Sequence, residues 1–329
     1  MDEKLLNALE RARKEQVKYS INDILKENRK KRFHKILNES YGSFPAQYQM
    51  AKSISKQLIN KFVNKEYTRK GNNYTVTLVN NSPSFGEVTY SLTWVYNEHV
   101  GNVKEVNGNS YYKDKKHFVD LVATTKQLYK PEMVGTIAHE IMHVFQKTLD
   151  NVNGVNAKSM LIYQECLNYM DNAVNIFSEY FFYGLYICFS FETAANVSSV
   201  ANYMESYFSN WDFLKITTKD YTKALKENQK YNNYKTVLDV LTTFKPTIED
   251  KKYITQCMTT PIVSYIDGQM YSHYNNKNFN VDIFIEKNVK NICEICQKTM
   301  DKMFKNIMLF VEDMQAKQEK NKKLKNLNN

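Results

Sequence analysis

The chain has 329 residues, of which 43% are hydrophobic and 24% are charged. Such a balance is typical of a folded globular protein and excludes a largely disordered one. A chain of this length can bury a substantial core and form two or three structural regions. The formal net charge of +10 favours solubility and a general attraction to anionic surfaces. The net positive charge is the only feature that favours nucleic-acid binding, so we do not expect nucleic acid to be a partner.

Several features predict a cytoplasmic protein. The sequence has no run of 18 or more apolar residues, so no membrane span is predicted. Its N-terminus, MDEKLLNALERARKEQ, carries early acidic residues and lacks the apolar segment of a signal peptide. The cysteines are odd in number and scattered, which predicts reduced thiols in an intracellular setting. They are Cys166, Cys188, Cys257, Cys293 and Cys296.

Residues 1–70 are predicted to form an N-terminal helical region, because apolar residues recur there at roughly helical spacing. The segment 41–45, YGSFP, interrupts the pattern, and a second helix is predicted from about 46 to 63. The basic run at 29–32, RKKR, is more typical of a solvated helix face than of a nucleic-acid contact.

The apolar period changes to two after Gly71, which predicts β-strands. Two alternating segments, 74–79 and 88–96, flank the turn-forming sequence NNSPS and predict a hairpin with a longer loop. A third strand is predicted over 118–124, after a polar loop at about 101–116. Which of these strands forms the edge of the sheet cannot be deduced from the sequence.

A largely apolar helix is predicted over 131–149, with the sequence PEMVGTIAHEIMHVFQKTL. It contains His139 and His143, which lie one turn apart on the same face and can direct two imidazoles at one metal ion. Glu140 lies beside them, within reach of a metal-bound water. Zinc lowers the pKa of such a water to about 7, and a neighbouring carboxylate can then take its proton. The alternative is a structural helix whose histidines form local hydrogen bonds, although burying such a cluster without a partner is costly.

This H-E-x-x-H pattern resembles the signature of the zincin metallopeptidases. The resemblance covers about 70–210 and implies a zincin-like core over 71–210. In such a core a small antiparallel sheet precedes the motif helix, and its edge strand lines the cleft. A substrate peptide could then bind by adding a strand to that edge.

A catalytic zinc ion usually has three protein ligands, so a third must be found. The extended metzincin motif is excluded, because its glycine and third histidine positions hold Gln146 and Leu149. Gluzincins instead use a glutamate on a later helix. Glu192 is preferred because Ala195, three residues on, would let its helix approach the motif helix closely. Glu165 and Glu179 are the alternatives, and a surface role for Glu192 also stays open.

A donor besides the metal usually stabilises the transition state. Tyr271 and His273, in a polar segment that looks like a loop, are candidates for this role. The chain has 24 tyrosines, so an ordinary surface role is also open for either residue.

Residues 211–329 are predicted to form a C-terminal helical region. Its helices are expected at 221–231, 234–244 and about 282–320. Cys293 and Cys296 form a lone C-x-x-C without further ligands nearby, so they are interpreted as buried small residues. The last helix has an apolar face that could pack on the core or form an oligomer. That face comprises Ile292, Ile295, Met300, Met303, Phe304, Met308 and Val311.

The sequence thus predicts an α+β protein that is mostly helical. The leading hypothesis is a zinc-dependent endopeptidase that acts on a peptide or protein substrate. In it His139, His143 and Glu192 bind Zn²⁺ and Glu140 is the general base. The alternative is a structural or interaction protein that retains a zincin scaffold, virion-associated if the gene is phage-encoded.

Overall fold

The computed structural model describes most of the chain from residue 40 onward. Residues Ala46–Asn329 form one compact unit, and Met1–Pro45 form a second unit. The helices predicted before residue 40 and the basic run at 29–32 lie outside the described residues. The region boundaries expected at 70 and 210 stay predictions. The described ranges are 40–71, 73–82, 86–95, 106–114, 116–124, 127–153, 165–259, 263–266, 269–272 and 279–327.

The protein is α+β and mostly helical, as the sequence predicted, and it contains a small five-stranded sheet. The strand order is β1-β2-β3-β5-β4. The predicted hairpin is present, since β2 pairs antiparallel with β3 and places Val76 opposite Leu92 and Leu78 opposite Tyr90. Its alternating apolar residues face the core. The strands are β1 (Thr68–Lys70), β2 (Asn73–Ser82), β3 (Gly86–Val95), β4 (Asn107–Lys113) and β5 (Lys116–Thr124).

The prediction of a purely antiparallel sheet is wrong, because β3 and β5 run parallel. The cause is β4, which the sequence analysis assigned to a polar loop. This strand folds back on β5 in a tight hairpin that turns at Asp114, whose φ of 50° is left-handed. β5 therefore enters the sheet beside β3, and β4 becomes an outer strand. Outer strands face solvent, which explains why β4 is too polar to show a strand pattern.

The helix predicted from about 46 already begins at Ser40, so the prediction that the segment YGSFP interrupts the helical pattern is wrong. The motif helix continues past the segment 131–149 to Asn153, and a break at 188–189 separates α3 from α4. A short helical segment also covers 165–171. The helices are α1 (Ser40–Val63), α2 (Pro131–Asn153), α3 (Ile176–Ile187), α4 (Ser190–Tyr207), α5 (Thr218–Glu227), α6 (Gln229–Thr243), α7 (Ile248–Thr259) and α8 (Val281–Leu327).

The motif helix α2 lies in the core, where apolar side chains of α1, the sheet and α2 form one cluster. It packs along α4, and Gly135 marks their closest approach. A Cβ at Gly135 would lie 3.1 Å from the backbone oxygen of Ser199. Ala195 on α4 is fully buried, as its small size predicted. Close packing of α2 on α4 brings the motif residues and Glu192 to one place.

The C-terminal third differs from expectation in a two-stranded sheet, in an additional helix at Ile248–Thr259 and in the length of its last helix. The segment with Tyr271 looked like a loop, whereas β6 (Val263–Ile266) and β7 (Gln269–Ser272) form a two-stranded antiparallel sheet. The long final helix was predicted and extends further than expected, from Val281 to Leu327. All five cysteines are free thiols. Within the described ranges, no helix combines the length and apolar character needed to cross a membrane.

Candidate metal centre and cleft

The three predicted ligands converge on one point. His139 and His143 lie one turn apart on α2, and Glu192 lies in the first turn of α4. The two Nε2 atoms are 3.0 Å apart. Glu192 Oε1 lies 3.4 Å from His139 Nε2, and Oε2 lies 3.2 Å from His143 Nε2. Among the described residues, this is the group of His, Cys, Asp or Glu side chains that could hold a metal ion.

These separations fit a tetrahedral ion. Zinc bonds to histidine nitrogen and carboxylate oxygen are about 2.0–2.1 Å long, so tetrahedral ligands lie about 3.3 Å apart. The distance between the two imidazoles and the distance from each imidazole to its nearer Glu192 oxygen fall close to that value, although the two imidazoles approach different oxygens. Two imidazoles and one carboxylate are also the donor set of some catalytic zinc sites. The residues present therefore fit zinc in both chemistry and spacing.

Gln146 orients one of the histidines. Its Oε1 lies 2.8 Å from His143 Nδ1 and accepts the proton there, which leaves His143 Nε2 free to face the other ligands. Its Nε2 donates to the backbone oxygen of Phe191 at 2.9 Å. Phe191 immediately precedes Glu192, so one side chain links the orientation of His143 to the position of the third ligand.

Glu140 is held by the edge strand β4. The hydroxyl of Ser110 makes a side-chain hydrogen bond to Glu140, whose side chain is 4% exposed. A Cβ at Gly108 would lie 2.7 Å from both Cγ and Oε1 of Glu140. Glycine at 108 therefore allows the backbone of β4 to pass directly over the Glu140 carboxylate. Thr136 donates to the backbone oxygen of Val106 at 3.3 Å and ties the same strand to the motif helix.

Burial and charge set the protonation of the ligand group. Burial alone would raise the pKa of Glu192, but the neighbouring histidines lower it to about 2. Burial holds the pKa of His139 well below its ordinary value. Burial is the largest single effect on the pKa of His143 and lowers it, but the hydrogen bond and charge of Glu192, the charge of Glu140 and the hydrogen bond to Gln146 together outweigh burial, so the pKa is raised. Near neutral pH, Glu192 is thus a carboxylate and His139 is a neutral imidazole.

Glu140 has the opposite tendency to Glu192. Burial raises the pKa of Glu140, and the nearby positive charges offset that effect only in part. A carboxyl group whose pKa is moved towards neutrality is better suited to accept and return a proton. The two buried carboxylates of the site are thereby separated into a permanent anion and a proton acceptor.

The site opens into a cleft of about 880 Å³. One wall is β4, where Asn107–Tyr112 line the cleft. A second wall comes from the start of α6, with Asn228 and Lys230, and from the aromatic residues Tyr183, Tyr186 and Phe191. Ligands and general base therefore lie in a space large enough for a substrate segment.

The other candidates do not join the ligand group. Glu179 is exposed in the first turn of α3. Glu165 acts electrostatically on Cys166, Tyr169 and Cys257 instead. Tyr271 lies in β7, whose side chains are not described, and His273 lies outside the described residues. Their proposed role in transition-state stabilisation stays a prediction.

Comparison with protein-family models, with curated proteins and with solved structures finds no match. The case for a function is therefore made from the chain's own residues.

The sequence analysis missed three residues of the site. Gln146 could have been found, since it lies three residues after His143 and so on the same face of the helix. Gly108 and Ser110 could not, because a polar outer strand has no distinctive pattern. Their importance comes from the pairing of β4 with β5, which brings them over Glu140.

Metal content should depend on Glu192 and on neither alternative. We expect the wild type to bind one zinc ion per chain, and Glu192→Ala and His143→Ala to lose it. Glu165→Gln and Glu179→Gln are matched controls and should retain a full equivalent, since neither residue joins the ligand group. Elemental analysis of the purified proteins checks this. A full equivalent of zinc in Glu192→Ala would contradict the assignment.

Metal affinity should fall as the pH is lowered through the raised pKa of His143, because a proton competes for the same nitrogen. The folded pKa of His143 lies above its ordinary value of 6.5. The ion pair between protonated His143 and Glu192 therefore stabilises the folded, metal-free protein fully below pH 6.5. This stabilisation is lost as the pH rises through the raised pKa of His143 in the folded protein. Glu192, with a pKa of about 2, stays ionised throughout.

Calorimetric zinc titrations between about pH 5 and pH 8, the range over which histidine titrates, measure this effect. We expect roughly one proton to be displaced from the ligand group per metal ion bound at the acidic end. An affinity independent of pH over that range would contradict the assigned protonation.

Proposed function

We propose that the protein is a zinc-dependent metallopeptidase. The proposal is supported above all by the convergence of His139, His143 and Glu192 at zinc-like spacing beside a buried Glu140. A zinc ion held there would polarise a scissile carbonyl and activate a water molecule for attack on it. The cleft supplies space for a peptide along the edge of the sheet. Peptide hydrolysis is the reaction that uses all of these features.

Glu140 moves the proton in this mechanism. It accepts a proton from the attacking water and then gives it to the nitrogen of the leaving amine. The raised pKa of Glu140 makes it able to return the proton. Ser110 holds the carboxylate in place during both transfers, and burial excludes competing water. Glu192, a permanent anion, takes no part in the proton transfer.

The substrate would bind as an added strand. Within the described residues, β4 pairs only with β5 and is an outer strand of the sheet. No described strand pairs with its other edge, and an outer edge of this kind can accept an extended peptide. Residues 107–112 of this strand also line the cleft. A peptide added there would run past Glu140, since Gly108 lies directly over that residue.

Hydrolysis should be lost when Glu140 cannot take a proton. We expect Glu140→Gln to lower kcat by about 10²–10⁴-fold, the range for general acid–base catalysis. The zinc content should be unchanged, because Glu140 is not a ligand. A peptide-library cleavage screen, followed by kinetics on the best substrate, makes the measurement.

The same screen tests the alternative of a structural or interaction protein. Absence of hydrolysis by the zinc-loaded wild type, together with stable assembly into oligomers or particles, would favour that alternative. Equal hydrolysis by the wild type and Glu140→Gln would attribute the activity to a contaminant.

Gly108→Ala should impair catalysis without removing the metal. The added Cβ would overlap Glu140 at 2.7 Å, so either the carboxylate or the strand must move. Misplacement of about 1 Å can cost on the order of 10²-fold in rate. Ser110→Ala, which removes a hydrogen bond but adds no atom, is the comparison and should have a smaller effect. Wild-type kinetics for Gly108→Ala would contradict the proposed contact.

A further inference from the structure

We infer that Lys230 is the catalytic cation that stabilises the oxyanion formed on the substrate carbonyl during hydrolysis. The inference rests on the proposed peptidase function and deepens it. In the proposed reaction a bound zinc ion would be the first group that polarises the substrate carbonyl. The inference makes a lysine at the start of α6 the second. The sequence pattern had suggested Tyr271 and His273 for that role.

Lys230 is partly buried and lines the same cleft as His139, Glu140 and Glu192. Strand β4 lines this cleft too. A substrate strand on β4 would therefore share the cleft with both the ligand group and the start of α6.

The start of α6 adds to the positive potential of the cleft. The side chain of Asn228 caps the helix by accepting a hydrogen bond from Tyr231 N at 3.0 Å. The first-turn amides of an α-helix have no partner within the helix and carry partial positive charge. Gln229 and Lys230 are the first two residues of this 15-residue helix, and both line the cleft. Charge and helix dipole therefore favour an anion at the same place.

Charge balance indicates what that anion would be. A divalent ion is neutralised by Glu192 and Glu140 together, so the resting site carries no excess positive charge from these groups. When water attacks the carbonyl, Glu140 takes the proton and becomes neutral, so one negative charge moves from Glu140 to the substrate oxygen. A fixed cation that faces the reacting group in a water-poor cleft stabilises such a charge strongly. Lys230 provides that cation, and no salt bridge engages it within the described part of the chain.

Lys130 offers a matched comparison. It is the other lysine that lines the cleft, but it is exposed and lies just before the motif helix. The charge of Lys230 is among the main influences on the pKa values of His139, Glu140 and Glu192, whereas the charge of Lys130 is not. A comparison of variants at the two lysines therefore distinguishes a local catalytic effect from a general effect of positive charge in the cleft.

The test compares Lys230→Met, Lys230→Arg and Lys130→Met with the wild type, all zinc-loaded. Met keeps much of the length of lysine without its charge. We expect Lys230→Met to lower kcat and kcat/KM together by about 10²–10³-fold, as for removal of one oxyanion donor. Lys230→Arg, which keeps the charge, should recover part of the loss. Lys130→Met should behave like the wild type, and zinc content should be equal in all four proteins.

A second measurement needs no turnover. The probe is a short phosphinic peptide of the cleaved sequence, or of alanine if no cleavage is found. Its tetrahedral anion mimics the transition state, so its affinity should fall in Lys230→Met by a factor similar to the loss of kcat. The affinity for the uncleaved substrate peptide, measured in the Glu140→Gln background, should be nearly unchanged by the same substitution.

The outcomes separate this inference from the proposed function. Peptide hydrolysis that is equally fast in Lys230→Met would overturn the inference and leave the peptidase proposal intact. A raised KM at unchanged kcat would make Lys230 a substrate-binding group instead and also overturn it. If the wild type cleaves no peptide, the peptidase proposal fails. In that case the affinity of the phosphinic peptide for wild type and for Lys230→Met is the remaining test of Lys230. Equal affinity for both proteins, or binding to neither, would overturn the role of Lys230.

Discussion

The site depends on one buried carboxylate. Glu192 is 2% exposed and lies against two imidazoles in the interior of a helical layer. A carboxylate in such a place loses its hydration, and the loss is tolerable only when positive groups replace the water. The histidines provide that compensation in the metal-free protein, which is why they lower the pKa of Glu192 to about 2. A divalent ion held there would compensate the carboxylate more completely.

The surrounding structure holds that carboxylate by several independent contacts. Gly135 lets α2 and α4 approach closely, and Gln146 connects His143 to the backbone beside Glu192. Further along α4, Asn196 donates to the hydroxyl of Tyr234, which donates to the backbone oxygen of Ile187. This chain of bonds fixes α4 against α3 and α6. A metal centre assembled from two helices therefore inherits the rigidity of a buried helical core.

The cleft has two walls of different character. The β4 wall presents backbone groups and crosses Glu140 at Gly108, while the α6 wall presents a lysine and the positive end of a helix dipole. In the proposed reaction, an extended substrate would match the first wall and the anionic transition state would match the second. The ligand group lines the same cleft. Binding and chemistry would then be assigned to different elements.

The sequence by itself determined the parts whose signals are local. Helical spacing placed His139, Glu140 and His143 on one buried helix, alternation predicted the β2–β3 hairpin, and Ala195 favoured Glu192 among three glutamates. Only the tertiary structure decided which residues lie across the cleft. The parallel pairing of β5, the polar outer strand with Gly108, and the position of Lys230 all depend on contacts between segments distant in sequence. Such contacts leave no periodic pattern, because pairing at the edge of a sheet uses backbone atoms, which every residue carries.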